Sequence, residues 1–269
     1  MNNAIVVLGA TGKTGRRLVR TLRDAGEPVR PASRSSEARF DWTDQDTWPA
    51  VLDGASAVYL VAPGEPEPVH AFVKQATEAG VRRFVALSAR ALDEFSTEFF
   101  QGMHAAEQAV RSSGVEWTIL RPNNFSQNFD EDVFHAPLLA GRLALPIGAV
   151  PEPFIDVRDI ADVAAAALST DGHHEKVYDL SGPRALTFAA AVEKIATASG
   201  RTIHYEELTP DEFRDELLAE GLDEHTAAEL NALFAGMRAG LSSEPRDGVR
   251  QVLGRAPIDF DTYVSGAWA

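Results

Sequence analysis

The chain has 269 residues, no cysteine and a net charge of −15 at pH 7. That length suits one large domain with a sizeable core, and the missing thiols exclude disulfides, a thiol nucleophile and thiolate metal sites. The acidic balance argues against a nucleic-acid or anionic-membrane surface, which needs clustered Lys and Arg, and no run reaches the roughly 20 apolar residues of a membrane span.

The N-terminus lacks a basic stretch followed by a long apolar one, so a cytoplasmic protein is expected. Ala4–Leu8 reads as a buried strand, followed by "GATGKTGRRL" (Gly9 to Leu18) and a helix from Lys13 to Ala25 with Arg16, Arg17, Arg20 and Arg23 on its wet side. "PVRPAS" is a second strand ending in "SRSS". "SAVYLVAP", "RRFVALSA" and "VEWTILRP" are further strands, with helices over "EPVHAFVKQATEAG" and "EFFQGMHAAEQAVRSSG" between them. Short apolar runs alternating with helices indicate a parallel, doubly wound sheet.

After Pro122 the rhythm loosens. "FIDVRDIADVAAAALS" reads as a short strand entering an Ala-rich helix capped by Asp156 or Asp159. "KVYDLSG" is another strand, and "TFAAAVEKIATASG" a helix from a Thr187 cap to a Gly200 stop. Pro210 to Leu241 is helical in pattern, and the Trp- and Tyr-bearing end suggests a docked tail. The expected division is an α/β Rossmann-type core over 1–150, to which the strand near 176–182 is a candidate to return, and a smaller, mainly helical substrate-binding portion over 151–269.

The glycine loop admits two phosphate readings. A triphosphate loop needs a glycine five residues before Gly12, but that position is Val7, inside the strand. The spacing Gly9, Gly12, Gly15 fits a dinucleotide turn instead. Gly9 permits the tight exit, Gly12 the approach of backbone amides to the pyrophosphate, and Gly15 close packing of helix on sheet. At the end of the second strand an NAD site usually carries an acid. Here Arg34, between Ser33 and Ser35, offers a planar fork and hydroxyls for a 2′-phosphate, so NADP(H) is preferred. Arg30 either assists or is a strand-edge charge.

The ordered set "GATGKTG", "SRSS", "ALSA", "TILRPNNFSQNF", "DVRDIADVAAAAL" and "LSGPRALTF" resembles the NmrA-like branch of atypical short-chain dehydrogenase/reductases over nearly the whole chain. "FDWTDQDTW" (Phe40 to Trp48) is similar to the subgroup holding the ergot-alkaloid festuclavine and agroclavine synthases, NADPH-dependent reductases of an iminium. The resemblance implies that Gly9, Thr11, Gly12, Lys13, Thr14 and Gly15 hold the pyrophosphate. It implies Arg34 and Ser35 at the 2′-phosphate, and Asp41 and Trp42 beside the adenine. Val61, Ala62, Pro63, Ser88 and Ala89 would line the ribose and nicotinamide, and Pro122, Asn123, Asn124 and Phe125 would face nicotinamide and substrate.

The chain departs from the standard reductase pattern in lacking Tyr-x-x-x-Lys: Tyr59, Tyr178, Tyr205 and Tyr263 have no lysine four residues on. Met103 and His104 stand where related chains keep the lysine. His104 is either a ribose contact or proton donor, or a helix histidine without a chemical task. Reduction of a ketone calls for a positioned acid, whereas an iminium accepts hydride without one, and a quinone-like acceptor demands less. His173 and His174 beside Glu175 lack a third clustered ligand, so no metal is expected. The expectation is an NADPH-dependent reductase of a small imine, iminium or quinone-like substrate, acting as a monomer or homodimer. The alternative is a non-catalytic NADP(H)-sensing regulator that binds a protein partner.

Overall fold

The computed structural model describes residues 3–95 and 98–269. From the N-terminus, β1 (Ala4–Leu8), α1 (Lys13–Asp24), β2 (Val29–Ser33) and β3 (Ala38–Arg39) lead through α2 (Trp48–Leu52) to β4 (Ala55–Val61). There follow α3 (Glu67–Glu78), β5 (Arg83–Leu87), α4 (Gln101–Arg111) and β6 (Glu116–Pro122). Then come α5 (His135–Leu139), β7 (Arg142–Leu145), α6 (Val157–Ser169) and β8 (Lys176–Leu180). Seven of these strands form one parallel sheet in the order β3-β2-β1-β4-β5-β6-β8. The order reverses between β1 and β4, and open parallel sheets place ligands at the carboxyl ends flanking such a reversal.

The sheet is covered on both faces, which is why its strands read as continuous apolar runs rather than alternating ones. Because successive side chains point to opposite faces, Val6, Leu8, Val58 and Leu60 enter one core with Phe72 of α3 and Ala105 of α4. Ile5, Val7, Ala57 and Tyr59 enter the other with Leu18 of α1 and Ile160 of α6. Phe40, Trp42, Trp48 and Phe72 pack together in the first of these cores, with four of the pairs edge to face at centroid separations of 5.0 to 5.4 Å.

The remaining elements are α7 (Phe188–Ser199), β9 (His204–Glu207), α8 (Pro210–Ala219), α9 (Glu224–Arg238), α10 (Gly248–Leu253) and α11 (Phe260–Ala267). Phe129, Phe154, Phe188, Phe213, Phe234 and Phe260 dominate their core. The strand near 176–182 returns to the main sheet as β8, beside β6, and α6, placed by the cut at residue 150 in the second portion, packs on α1 of the first. The expected strand at Phe154 is only a bridge between Ile155 and Phe125, and the parallel pair β7–β9 was not foreseen. Asp156, not Asp159, caps α6, accepting from the Arg158 backbone N–H. Asp159 anchors the tail instead, bound by Arg255 Nη1 at 2.6 Å and the Ile258 N–H at 2.6 Å. Tyr263 completes the docking by donating to Asp130 Oδ1 at 2.7 Å. Among the described residues no helix is long and apolar enough to cross a membrane.

Candidate functional site

The glycine turn is built as its spacing requires. Gly9 leaves β1 with φ +62°, a left-handed conformation that side chains other than glycine rarely adopt, and its carbonyl accepts the Gly12 N–H at 2.8 Å. A Cβ at position 15 would stand 2.2 Å from the Gly9 oxygen, so only glycine lets α1 sit this close to the loop. Gly12 is the N-cap and supplies no side-chain cap, and the first turn holds no acid. The first amides of α1 therefore keep the unsatisfied donors and positive dipole end that suit an anion.

Arg34 lies exposed at the end of β2 and makes no side-chain hydrogen bond or ion pair among the described residues. Ser33, Ser35 and Ser36 form a hydroxyl cluster beside it, with Ser33 to Ser36 at 2.7 Å. Arg30 is committed elsewhere, donating to the Val51 and Asp53 carbonyls at 2.7 and 2.6 Å. Asp41 follows β3, and the Thr43 N–H and hydroxyl hold its carboxyl below the usual range. Trp42 Nε1 donates to the Val61 carbonyl at 3.2 Å, joining the segment after β3 to the end of β4.

The other end of this row opens into a cavity of about 590 Å³. Lys13, Ser88, Ala89, Met103, Pro122, Asn123, Asn124 and Phe125 line it, so eight of the residues singled out in the sequence share one space. Phe95, Phe100, Phe134, Phe188, Phe213 and Phe234 line the same cavity. Lys13 does not extend along the loop: its ammonium donates to Asn128 Oδ1 at 2.6 Å, pairs with Asp132 and lies 5.4 Å from the Phe125 ring centre. The loop thus offers backbone amides rather than this side chain.

Ser88 donates to Glu107 Oε1 at 2.6 Å, and Arg121 clamps the same carboxylate through two contacts of 2.7 Å. Burial pushes Glu107 up, but the Arg121 and Ser88 hydrogen bonds outweigh it and hold the group below the usual range. Asn123 is buried and fully engaged, donating to Glu152 Oε1 and the Ser242 carbonyl, each at 2.8 Å, and accepting from Arg90 Nη1 at 3.2 Å. Ala91, next to the lining residue Arg90, carries φ +55°. Such left-handed conformations at non-glycine residues concentrate at functional sites.

His104, adjacent to Met103 in the chain, is not among the lining residues. Its Nδ1 lies 3.8 Å from Asp93 Oδ1 on the outside of α4, with 39% of the side chain exposed. No tyrosine lines the cavity either. Tyr59 is buried in the core with its pKa raised by desolvation, and Tyr178, Tyr205 and Tyr263 are bound to His173, Glu207 and Asp130. Sequence reasoning missed Arg90, Glu152 and Ser242. A signal existed for Glu152, a single acid between Pro151 and Pro153 at the start of an apolar run.

Residues 9–171 match the model of a family described as NAD(P)H-binding. The chain is 31% identical to the NAD(P)H azoreductase of Xenophilus azovorans, covering 96% of each chain. It is 31% identical to the agroclavine dehydrogenase of Claviceps fusiformis, covering 97% of this chain and 96% of that one. The structure of the NADPH-dependent quinone oxidoreductase QOR2 from Escherichia coli, solved with NADPH, superposes with a TM-score of 0.85 at 21% identity, over 98% of this chain and all of that one. The chain belongs to the NAD(P)H-binding family, and it is similar along nearly its whole length to an azoreductase and an agroclavine dehydrogenase.

Proposed function

We propose that this protein is an NADPH-dependent reductase of a small, flat, electron-poor organic substrate, an imine or iminium or a quinone-like acceptor. The observation that carries the reading is one cavity lined both by Lys13 at the start of α1 with the strand-end residues Ser88, Ala89 and Pro122 to Phe125, and by a set of phenylalanines. Residues of the chain suit the cofactor: uncapped amides of α1 for the pyrophosphate, Arg34 with Ser35 for the 2′-phosphate, and Asp41, Trp42, Val61, Ala62 and Pro63 along the nucleoside. When bound, NADPH supplies a hydride. The protein's own part is to hold the acceptor flat against that row, exclude water with the phenylalanine wall and fix the reacting distance.

The relatives support the substrate class by what their names state, an azo compound for one and a clavine for the other. The aromatic wall suits planar, delocalised molecules, for which edge-to-face and offset contacts are favourable. Quenching of tryptophan fluorescence, with Trp42 among the residues assigned to the adenine, gives cofactor affinity. The expected order is NADPH and NADP+ tighter than NADH and NAD+. Loss of NADPH absorbance is then followed with a panel of imines, iminium salts, quinones and aldehydes. Turnover of the first three classes is expected. Tight NADPH binding with no turnover of any would instead favour the non-catalytic sensor.

A further inference from the structure

A carboxyl group stands in the cavity that hydride transfer alone does not use. Glu152 is 3% exposed and lines the cavity together with Ser242. Its backbone is fixed on both sides by Leu186, at 2.8 and 3.0 Å. Its Oε1 accepts from Asn123 Nδ2 at 2.8 Å and from the Asn124 N–H at 3.2 Å, and its Oε2 lies 3.1 Å from Ser242 Oγ. No cationic side chain touches it among the described residues.

The surrounding charges act at one remove. Arg90, beyond β5, reaches Glu152 only through Asn123, and is itself held by the Glu244 carbonyl at 3.1 Å and faces Asp179 of β8 at 3.8 Å. Arg246 and Glu94 also act on Arg90. Burial raises the pKa of Glu152 above the usual carboxylate range, against the hydrogen bonds from Asn123, Asn124 and Ser242. Two N–H donors already occupy Oε1, so the proton of the neutral acid resides on Oε2. With Glu152 neutral, the Oε2–H reverses the Ser242 Oγ–Oε2 hydrogen bond and frees the serine's own hydroxyl proton for another acceptor.

We propose that Glu152 is the proton source of this site, delivering through the Ser242 hydroxyl to acceptors that need a proton. The proposal rests on the reductase reading above. As hydride from the bound cofactor adds to the electron-poor carbon of a conjugated carbonyl, the π electrons move onto oxygen. That oxygen takes the Ser242 proton while Ser242 takes the one on Glu152. The cofactor is oxidised, the acceptor gains one hydride and one proton, and the Glu152 carboxylate regains a proton from water after product release. An N-alkyl iminium needs only the hydride, so the relay is idle for it.

The test uses Glu152→Gln, which keeps the size, accepts at Oε1 and donates to Ser242 but carries no acidic proton. The probes are 1,4-naphthoquinone and N-methyl-3,4-dihydroisoquinolinium. A positioned acid is typically worth 10² to 10⁴ in rate, so kcat for the quinone is expected to fall about 100-fold. KM for the quinone changes little, and the loss with the iminium is far smaller. In the wild type, quinone turnover declines as pH rises through the Glu152 pKa, and this limb vanishes in Glu152→Gln. Melting supplies a readout independent of substrate. A group whose folded pKa is raised contributes stability below its unfolded pKa and loses it as pH rises through the folded one. Glu152→Gln therefore gains in Tm over the wild type with rising pH. Equal quinone kcat and equal pH profiles in wild type and variant overturn the relay alone. A wild type that binds NADPH but turns over neither probe overturns the reductase reading as well. If Glu152→Gln does not fold, Ser242→Ala carries the same test: selective loss of quinone turnover supports the relay, and an unchanged quinone-to-iminium ratio overturns it.

Discussion

The two ends of the proposed site are made in different ways. The proposed cofactor end is a row of short motifs at successive strand ends, Gly9–Gly15, Ser33–Ser35, Val61–Pro63, Ser88–Ala89 and Pro122–Phe125, of which the last two, and Lys13 of the first, reach the cavity, and much of what it offers is backbone. The proposed substrate end is side chain, drawn from Phe95, Phe134, Phe188, Phe213, Phe234 and their neighbours in the cavity lining, residues separated by well over a hundred positions. The first is specified by conformations that only certain residues permit, the second by tertiary packing that many apolar residues satisfy. Substitutions at the first end should therefore act sharply and on the cofactor, while those at the second should act by degrees and on the acceptor.

Gly15→Ala is the strongest way to break that contrast. The added Cβ meets backbone on the far side, at 2.2 Å from the Gly9 oxygen and 2.8 Å from its carbon, and backbone cannot rotate away. Overpacking of this kind costs about 1–3 kcal/mol, and lifting α1 off the loop also withdraws its amides from the pyrophosphate. NADPH affinity is expected to fall by about 100-fold or more, more than 1.4 kcal/mol per tenfold twice over, while circular dichroism still reports a folded α/β chain. Near-normal NADPH binding would show that the close approach is not what seats the dinucleotide.

Arg34→Ala comes next. A hydrogen bond to a charged group is worth about 1.5–3 kcal/mol, which at a 2′-phosphate amounts to about 10- to 100-fold. NADPH affinity should drop by that factor, NADH affinity should hardly change, and the preference should narrow or reverse. Equal losses for the two nucleotides would assign Arg34 to the shared part of the cofactor instead.

The same contrast explains what could be read from the sequence. The parallel, doubly wound class of the main sheet, the glycine turn and the two caps Thr187 and Gly200 were legible because each depends on local residues: periodicity, φ > 0 or a hydroxyl at a helix start. The pair β7–β9 was not, since "RLAL" and "HYEE" are four residues each and their apolar faces acquire meaning only against the phenylalanine core. Asp156 and Asp159 were equally good caps on paper. Arg255, almost a hundred residues on, decided between them by claiming Asp159 for the tail. For Glu152 the two flanking prolines were the whole signal, with no spacing to a partner, and its depth in the fold depends on Asn123 and Ser242 closing round it.

His104→Ala is the smallest expected effect and the finest test of where the substrate end stops. Met103 and His104 are adjacent on α4, and adjacent helical residues do not share a face. Met103 borders the cavity, whereas His104 stands over Asp93 on the wet side, partly exposed. A surface change of this kind usually stays within about 0.5 kcal/mol, so kcat and both KM values should move by less than about twofold and quinone turnover should keep its decline at high pH. Met103→Ala, one residue away, should instead raise KM for a flat acceptor, since it removes apolar contact from the wall beside Phe100. A tenfold fall in kcat for His104→Ala, with the pH limb altered, would move the proton donor from the buried floor of the cavity to its rim. It would also mean that the wet side of α4 carries chemistry in this chain.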